Sequence, residues 1–504
     1  MKSTFRATAI LSGGSITSIL LSLISAKVMA VYLHPAGYGY YGLLQSFLGL
    51  IVLLSGMGIA TGLVRSGAGP AARNDEVAVA SLRRGAWLLF MATGSIVTVL
   101  LFLFRKGLSR WALGSPDHGW TIVLMGVALL FMVAGNVEVG VLNAYHRVSA
   151  LAKYGVVNTL AGGLIAIPAV FFFGIKGVVP AIIGAAICTW AISWFYVHRE
   201  VGKIRVHTSR QDSWRAFREL FRFGVPFTAS QLVGTGVQLA LPIVVLHMLG
   251  TESVGYYRAA LGISVGYLGF LITAMGQDYY PRLSKVADQP AALVKLINDQ
   301  HRLVMILAVP VILGTLALVP LMVPLVYSLQ FGPTVEILEW QMIGDIFKFS
   351  SWTMSFAILA RRGSSVYFLS ELLGGVANIA VTWLCVKYFG LQGLGIGFLI
   401  AYVLYYFIIW MFVRRALPLV WTSSNIKMIV GAVAAALVVR ILPATRFAHF
   451  RTPVGLALAL LTGIPSLFIL WREFMVPKDA EPAGVVAEPA ESTVVPAEVH
   501  SSVD

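Results

Sequence analysis

The sequence contains few charged residues and few cysteines. Only 12% of its 504 residues are charged and 58% are hydrophobic, whereas charged residues make up about a quarter of a typical soluble domain. This composition excludes a soluble enzyme and a disordered chain. The two cysteines, Cys188 and Cys385, lie in apolar runs, so they indicate neither a disulfide framework nor a zinc cluster.

Motifs for covalent or nucleotide chemistry are absent as well. The sequence has no glycine-rich phosphate loop followed by Lys-Ser/Thr, no metal-spaced His/Cys set and no nucleophile elbow. We therefore predict a transporter rather than an enzyme. We expect no metal or organic cofactor, and H⁺ or Na⁺ are the candidate coupling ions.

Hydrophobic runs fill almost the whole chain, and a membrane-spanning helix needs about 20 apolar residues. Fourteen runs meet this length, and the sequence therefore predicts an all-α integral membrane protein with about 14 transmembrane helices. The runs cover residues 9–33, 38–64, 85–104, 119–143, 154–173, 177–197, 224–249, 254–281, 303–327, 337–360, 366–388, 391–413, 425–443 and 453–471.

The net charge of +15 is unevenly distributed. Residues 473–504 contain seven acids and one base, which leaves +21 on the rest of the chain. We predict that this segment is a disordered acidic tail because it lacks helical periodicity. Most Lys and Arg fall in loops on one side of the predicted spans, above all in a basic linker at 200–223. The positive-inside rule places both termini in the cytoplasm and favours a membrane over a nucleic-acid partner.

The second half of the chain repeats the first at one constant offset. Gly39-Tyr40-Tyr41 aligns with Gly255-Tyr256-Tyr257, and Phe173-Gly174-x-x-Gly177 aligns with Phe389-Gly390-x-x-Gly393. Each repeat contains six spans, an even number, so both repeats have the same orientation in the membrane. We predict two parallel-repeat six-helix lobes, 1–199 and 224–415, with two extra helices in 416–472. Substrates of such transporters bind between the repeats.

Polar residues within the spans are candidates for lining that cavity. Thr228, Gln231, Thr235 and Gln238 are spaced 3, 4 and 3 apart, which places them on one helical face. Such a face is either water-lined or a helix-packing surface. The two glutamines favour the water-lined interpretation.

Ionisable residues within the spans cost roughly 2.5–3.5 kcal/mol each, so they usually face protein or water. The candidates are Lys27, Glu138, Arg258, Asp278, Asp345, Lys348 and Glu371. Asp345 and Lys348 lie deepest in their span and are three residues apart, so they either neutralise each other or line a polar cavity. The other five lie near predicted helix ends, where snorkelling to the interface is an equal alternative.

Several segments resemble the Wzx-type polysaccharide flippases. They are the run from Ala26 to Gly39, Gly255-Tyr256-Tyr257-Arg258-Ala259-Ala260, and Trp340-Gln341-Met342-Ile343-Gly344-Asp345-Ile346-Phe347-Lys348. The last is similar to the Trp-Gln-x-x-Gly-Asp-x-x-Lys segment of the enterobacterial common antigen and O-antigen translocases, which also have an acid near Glu371.

The resemblance implies two six-helix lobes that rock around a central cavity in the bacterial inner membrane. It implies a substrate of oligosaccharide on undecaprenyl pyrophosphate, flipped for surface polysaccharide synthesis beside a polymerase and chain-length proteins. The same resemblance implies that the cavity is lined by Lys27, Asp345, Lys348 and Glu371. Weaker matches add Arg258 and Glu138. The candidate ion-coupling sites are Asp345 and Glu371. The family's arginine in the second span is missing here, so Lys27, Lys348 or Arg258 must hold the pyrophosphate.

Three alternatives stay open on the sequence alone. A cation-coupled exporter of small amphipathic compounds in the same superfamily fits the Asp345 site equally well. A flippase for the peptidoglycan precursor lipid II also has fourteen spans. A membrane-embedded glycosyltransferase or polymerase is less favoured because the loops are short.

Overall fold

The structure is a computed structural model, and it describes residues 2–202, 208–274, 278–442 and 450–474. Within these ranges the side chains of residues 2–20, 265, 267–274, 364, 469–470 and 472–474 are outside the description. The predicted acidic tail lies almost entirely beyond the described residues, as does the centre of the predicted linker.

Helices make up nearly all of the described chain. They are α1 (Lys2–Gly56), α2 (Ile59–Ala72), α3 (Glu76–Leu103), α4 (Arg105–Leu113), α5 (Gly119–Ala144), α6 (Val148–Phe173), α7 (Val178–Glu200), α8 (Arg210–Leu249), α9 (Thr251–Ala274), α10 (Tyr280–Lys285), α11 (Pro290–Val326), α12 (Thr334–Arg362), α13 (Ser364–Phe389), α14 (Gly393–Arg414), α15 (Ser423–Ile441) and α16 (Arg451–Phe474). The described residues contain no strand, which confirms the all-α fold class.

Within the described residues, each of the fourteen predicted spans coincides with helix. Nine helical stretches there are long and apolar enough to cross a membrane, and two of them, Val148–Glu200 and Ser365–Arg414, each contain two helices. The second predicted span is interrupted after Gly56, because Met57 and Gly58 have positive φ angles of 41° and 63°. Helix α8 begins at Arg210, so it includes much of the segment that we predicted as a linker.

Local sequence explains several helix boundaries. Helix α1 kinks at His34 (φ 56°, ψ 175°), since the following Pro35 disfavours helical geometry at the residue before it. Asp75 caps α3 by accepting a hydrogen bond from the Ala78 N–H at 2.9 Å, and Ser209 caps α8 in the same manner through Gln211. These caps satisfy N–H groups that have no partner within the helix.

The repeat is present in the backbone as well as in the sequence. Gly174 has φ 54° and ψ −133°, and its equivalent Gly390 has φ 56° and ψ −132°. A Cβ atom at Gly177 would lie 2.0 Å from the carbonyl oxygen of Ala169, and one at the equivalent Gly393 would lie 2.2 Å from that of Cys385. Both halves therefore make the same helix-to-helix turn with glycine at the same close approach.

The two halves meet where α1 crosses α9. A Cβ atom at Gly39 would lie 2.2 Å from the Thr251 carbonyl oxygen, and one at Gly255 would lie 2.0 Å from the Pro35 carbonyl oxygen. Gly39 and Gly255 are equivalent positions of the repeat, and so are Pro35 and Thr251. The contact is therefore reciprocal, as in a two-fold symmetric interface. We call this end of the bundle, with His34, Gly250 and Leu329–Phe331, the kink end. The opposite end, where α8 begins, is the basic end.

The two additional helices are attached to the second half by a buried ion cluster. Glu339 of α12 is 3% exposed, and it contacts the Arg440 Nε atom of α15 at 2.8 Å and the Arg451 Nη2 atom of α16 at 2.5 Å. The Asn425 amide of α15 donates to Asn298 of α11 at 3.0 Å. These polar contacts hold α15 and α16 against α11 and α12.

Candidate substrate cleft

Arg258 of α9 lies at the crossing of the two halves. Its guanidinium donates to the Gly42 carbonyl oxygen and, at 2.7 Å, to the Ser46 hydroxyl of α1. Gly42 is the position equivalent to Arg258 in the first repeat. A side chain at position 42 would overlap the guanidinium, because a Cβ atom there would lie 2.6 Å from Arg258 Nε. The glycine therefore makes room for a half-buried cation whose described hydrogen-bond partners are neutral oxygens.

Lys27 makes a second contact between the halves near the same end. The Lys27 ammonium of α1 donates to the Pro324 carbonyl oxygen of α11 at 2.9 Å. Beyond it, His34 Nδ1 lies 2.8 Å from Gln330 Oε1. The ring of Tyr38 packs edge-on against Phe331 with centroids 5.6 Å apart. Polar and aromatic contacts together close the kink end.

Toward the basic end the same faces of α1 and α9 separate. Gly49 shares a helical face with Gly42 and Ser46, and Gly266 shares one with Gly255 and Arg258. A Cβ atom at Gly49 or at Gly266 would meet nothing within 4 Å. The two positions lie about 15 Å from the crossing at 1.5 Å per residue. Helices α1 and α9 are thus in tight contact at the kink end and leave open space beside them toward the basic end; we call this space the cleft and Arg258 its apex.

The predicted polar face of α8 is only partly packed. Gln231 and Gln238 are exposed, Thr235 is half-buried, and Thr228 is buried. Neighbouring glycines at 234 and 236 also face open space. On the α1 side, the Ser46 hydroxyl donates to the Gln238 carbonyl oxygen at 3.1 Å. Both glutamine side chains are therefore unpacked in this conformation, and Gln238 lies next to the crossing.

Asp345 and Lys348 lie inside the second half, where α9, α12 and α14 meet. Asp345 has no exposed surface and accepts a hydrogen bond from Ser264 at 3.0 Å. Its Oδ1 atom is 3.9 Å from the Lys348 ammonium. That ammonium lies 5.0–5.4 Å from three ring centroids, those of Trp352, Phe398 and Tyr402. In this conformation the two charges interact with each other and with an aromatic enclosure.

Glu371 of α13 is half-buried and accepts a short hydrogen bond from the Tyr405 hydroxyl of α14. Tyr405 lies over Gly374, where a Cβ atom would be 2.3 Å from the ring. The structure does not bring Glu371 into contact with Lys27 or Arg258 among the described interactions. Of the sequence candidates, Lys27, Arg258 and the α8 face border the region between the halves.

Glu138 and Asp278 both pair with arginines. The Arg83 guanidinium of α3 donates to both carboxylate oxygens of Glu138 at 2.7 and 2.9 Å, and Glu138 has no exposed surface. Asp278 contacts Arg282 at 3.1 Å on the surface. Sequence reasoning missed Arg83 because it precedes the predicted third span. It also missed Glu339 and Arg440, although both fall within predicted spans and could have been found as intramembrane charges.

The charge balance distinguishes the apex from the other charged positions. Arg83, Lys348, Arg440 and Arg451 each contact a carboxylate, whereas the described partners of Lys27 and Arg258 are carbonyl and hydroxyl oxygens. Among the described residues, no group of three or more His, Cys, Asp or Glu side chains is arranged to hold a metal ion. The chemistry available at the apex is recognition of an anion by ammonium and guanidinium groups.

Comparison with known proteins adds a family and a fold. Residues 28–336 match the family model described as polysaccharide biosynthesis protein. A Shigella flexneri protein assigned as an O-antigen transporter is 24% identical over 402 residues, which cover 76% of this chain and 91% of the relative. The lipid III flippase of Escherichia coli (strain K12) is 19% identical over 424 residues, or 80% and 98% of the two chains.

The fold is also that of a solved flippase structure. The lipid II flippase MurJ, in an inward closed conformation, superimposes with a TM-score of 0.69 at 13% identity. The match covers 93% of this chain and all of the other. At this identity the likeness concerns the arrangement of helices.

Proposed function

This chain belongs to the polysaccharide biosynthesis protein family, and on that premise we propose that it is a flippase for lipid-linked oligosaccharides. Its substrate is an oligosaccharide repeat unit on undecaprenyl pyrophosphate. The protein moves it from the cytoplasmic to the periplasmic leaflet of the bacterial inner membrane for O-antigen or exopolysaccharide synthesis. The product then passes to a polysaccharide polymerase and its chain-length partners.

The topology in this proposal follows from the distribution of charge. The basic end, with the arginines of the α8 start, faces the cytoplasm together with both termini. The kink end then faces the periplasm. Residues 1–199 and 224–415 act as two lobes that rock about the α1–α9 crossing, and the described conformation corresponds to an inward-facing state.

The observation that carries the proposal is the pair of cations near the closed end of the cleft, Lys27 and Arg258, whose partners among the described residues are neutral oxygens. A half-buried charge within the membrane is costly when no opposite charge lies beside it. A pyrophosphate supplies the missing negative charge and binds both ammonium and guanidinium groups through charge-assisted hydrogen bonds. Lys27 and Arg258 therefore hold the head group. The lipid chain remains in the bilayer.

In this proposal the polar face of α8 binds the sugar part of the substrate. Gln231, Thr235 and Gln238, with Thr228 at its end, offer hydrogen bonds along the cleft. A hydrated path lowers the barrier to moving an oligosaccharide across about 30 Å of hydrocarbon. Glu138 acts with its partner Arg83 to hold α3 against α5.

Coupling to H⁺ or Na⁺ is assigned to Asp345 and Glu371, since both are carboxylates in the interior of the second half. Lys348 controls the charge of Asp345 from one helical turn away. The same carboxylates would serve a cation-coupled exporter of small amphipathic compounds, which is the second candidate. Only the flippase proposal gives Lys27 and Arg258 a role in holding an anion.

The test is binding of undecaprenyl pyrophosphate, compared with the uncharged alcohol undecaprenol, to Lys27→Gln and Arg258→Gln variants. We expect each substitution to weaken pyrophosphate binding by roughly tenfold or more, since a charged hydrogen bond contributes about 1.5–3 kcal/mol. Binding of undecaprenol should not change. The matched controls are Lys153→Gln and Arg110→Gln, which remove exposed charges away from the crossing.

A gene deletion provides the cellular counterpart. Undecaprenyl-linked repeat units should accumulate, surface polymer should disappear, and only the control variants should restore it. Normal polymer from the Lys27→Gln, Arg258→Gln double variant would refute the head-group assignment. Normal polymer from the deletion itself, with sensitivity to cationic compounds, would favour the exporter.

A further inference from the structure

Helix α8 begins well before its predicted membrane span, at the basic end. It begins at Arg210, fourteen residues before the predicted span at 224–249, which corresponds to about 21 Å of helix. We call residues 210–223 the α8 extension. One face is fixed against the first half of the chain. A Cβ atom at Gly85 of α3 would lie 2.7 Å from the Ala216 Cβ atom, and one at Gly62 of α2 would lie 2.8 Å from Leu220 Cδ2.

The remaining surface of the extension is sorted by chemistry. Each residue turns the helix by 100°, so the residue types separate around its circumference. The aromatic positions 214, 217 and 221 lie next to the packed face. The basic positions 218 and 222 come after them, and the acidic positions 212 and 219 come last. Trp214 and Phe221 are 48% and 45% exposed. Their rings flank Phe217 in a stacked row, with centroid distances of 4.7 and 6.2 Å.

The aromatic row continues into the membrane-spanning part of the helix. Val225 is 46% exposed and Leu232 is 41% exposed, and both lie on the same helical stripe as Trp214 and Phe221. An exposed apolar stripe that ends in aromatic residues is typical of a helix that enters the interfacial layer of a membrane. Trp is enriched at this level of the bilayer.

The acids of the extension already have partners on the side away from the rings. Glu219 accepts a short hydrogen bond from Ser66 of α2, and Asp212 lies 3.7 Å from Arg215. Arg218 stacks on Trp214 at 5.8 Å. Among the described residues no carboxylate contacts Arg218 or Arg222, and both side chains are exposed. Two cations therefore lie beside the rings, at the level where lipid phosphates would meet them.

We propose that the α8 extension is a binding surface for anionic lipid head groups of the cytoplasmic leaflet. Arg218 and Arg222 bind the phosphates, and Trp214, Phe217 and Phe221 contact the lipid beside them. The aromatic and basic faces adjoin, so a lipid whose phosphate binds the arginines has an apolar surface next to it. The proposal depends on the cytoplasmic orientation of the basic end and not on the transported substrate.

The test is titration of phosphatidylglycerol, with phosphatidylcholine as the neutral reference, into the purified full chain, with bound lipid counted by native mass spectrometry. Each arginine at an anionic surface accounts for about fivefold in affinity. The Arg218→Gln, Arg222→Gln variant should therefore bind phosphatidylglycerol about 25-fold more weakly, and phosphatidylcholine equally well. The matched control is Arg73→Gln, Arg147→Gln, which removes two exposed charges at the same end.

If the control variant loses as much affinity for phosphatidylglycerol, the general positive charge of this end attracts the lipid, and the assignment to the α8 extension is wrong. A further variant, Trp214→Gln with Phe221→Gln, should weaken binding of both lipids. The chain's own acidic residues 473–504 are the competing occupant. If the chain without these residues binds phosphatidylglycerol equally well with and without Arg218 and Arg222, the surface belongs to the tail and the lipid proposal is overturned.

Discussion

Replacement of Gly255 by alanine should open the kink end of the protein. The new Cβ atom would lie 2.0 Å from the Pro35 carbonyl oxygen, and ordinary contacts begin at 3.4 Å. The atom opposite it is backbone, which cannot turn aside as a flexible side chain can. Helices α1 and α9 must therefore move apart at the crossing until this contact reaches the ordinary range.

The energetic consequence can be estimated from overpacking. One extra methyl group in a tight contact costs about 1–3 kcal/mol, and this cost applies only to the conformation in which Gly255 and Pro35 touch. The ratio of closed to open molecules at the kink end should fall by roughly 5–150-fold. The bonds from Arg258 to α1 belong to the same contact and should weaken with it.

The assay is the distance between spin labels on the two halves at the kink end. Ile175 and Leu329 are 51% and 84% exposed there, and both can carry a label after Cys188 and Cys385 are replaced by serine. In lipid nanodiscs the parent chain should give one short distance. The Gly255→Ala chain should add a population at longer distance.

The control is Gly266→Ala on the same helix, where a Cβ atom meets nothing within 4 Å. It makes the same chemical change without a steric conflict, so its distances should match those of the parent chain. If Gly255→Ala keeps the parent distance distribution at unchanged thermal stability, the α1–α9 crossing is not the closed gate. The cleft between the halves would then not end at Arg258.

Three further substitutions test the charged clusters. Arg83→Ala should lower the free energy of unfolding by about 3–5 kcal/mol because it leaves Glu138 buried without its partner, and replacing both by leucine should restore most of the loss in thermal melts. Glu339→Gln should loosen α15 and α16, seen as faster hydrogen exchange in these two helices with α3 as the internal reference. Lys348→Ala should reduce thermal stability through its effect on Asp345, and unchanged stability with lost transport would instead place Lys348 at the substrate.

The chain alone determined the class of protein and the positions of its helices. Apolar length and turn residues are local properties, so spans such as 119–143 and 391–413 can be read from composition. The repeat was equally visible, because equivalent turns such as Gly174 and Gly390 need glycine for the same backbone geometry. The length of α8 was not foreseen, since this helix begins at Arg210, before the apolar segment that marked its span.

Only the tertiary structure decided which charges meet. Glu138 pairs with Arg83 on another helix, and Arg258 meets the carbonyl of Gly42 in the other half of the chain. Such pairings depend on the register and crossing of packed helices, which the local pattern of hydrophobic residues does not specify. Depth in the sequence suggested that Asp345 and Lys348 either line a cavity or neutralise each other. In the fold they lie 3.9 Å apart beside three aromatic rings, and their place in the substrate cavity stays a prediction. Lys27 and Arg258, which looked interfacial, lie between the halves because α1 kinks at His34 and brings its two segments against α9 and α11.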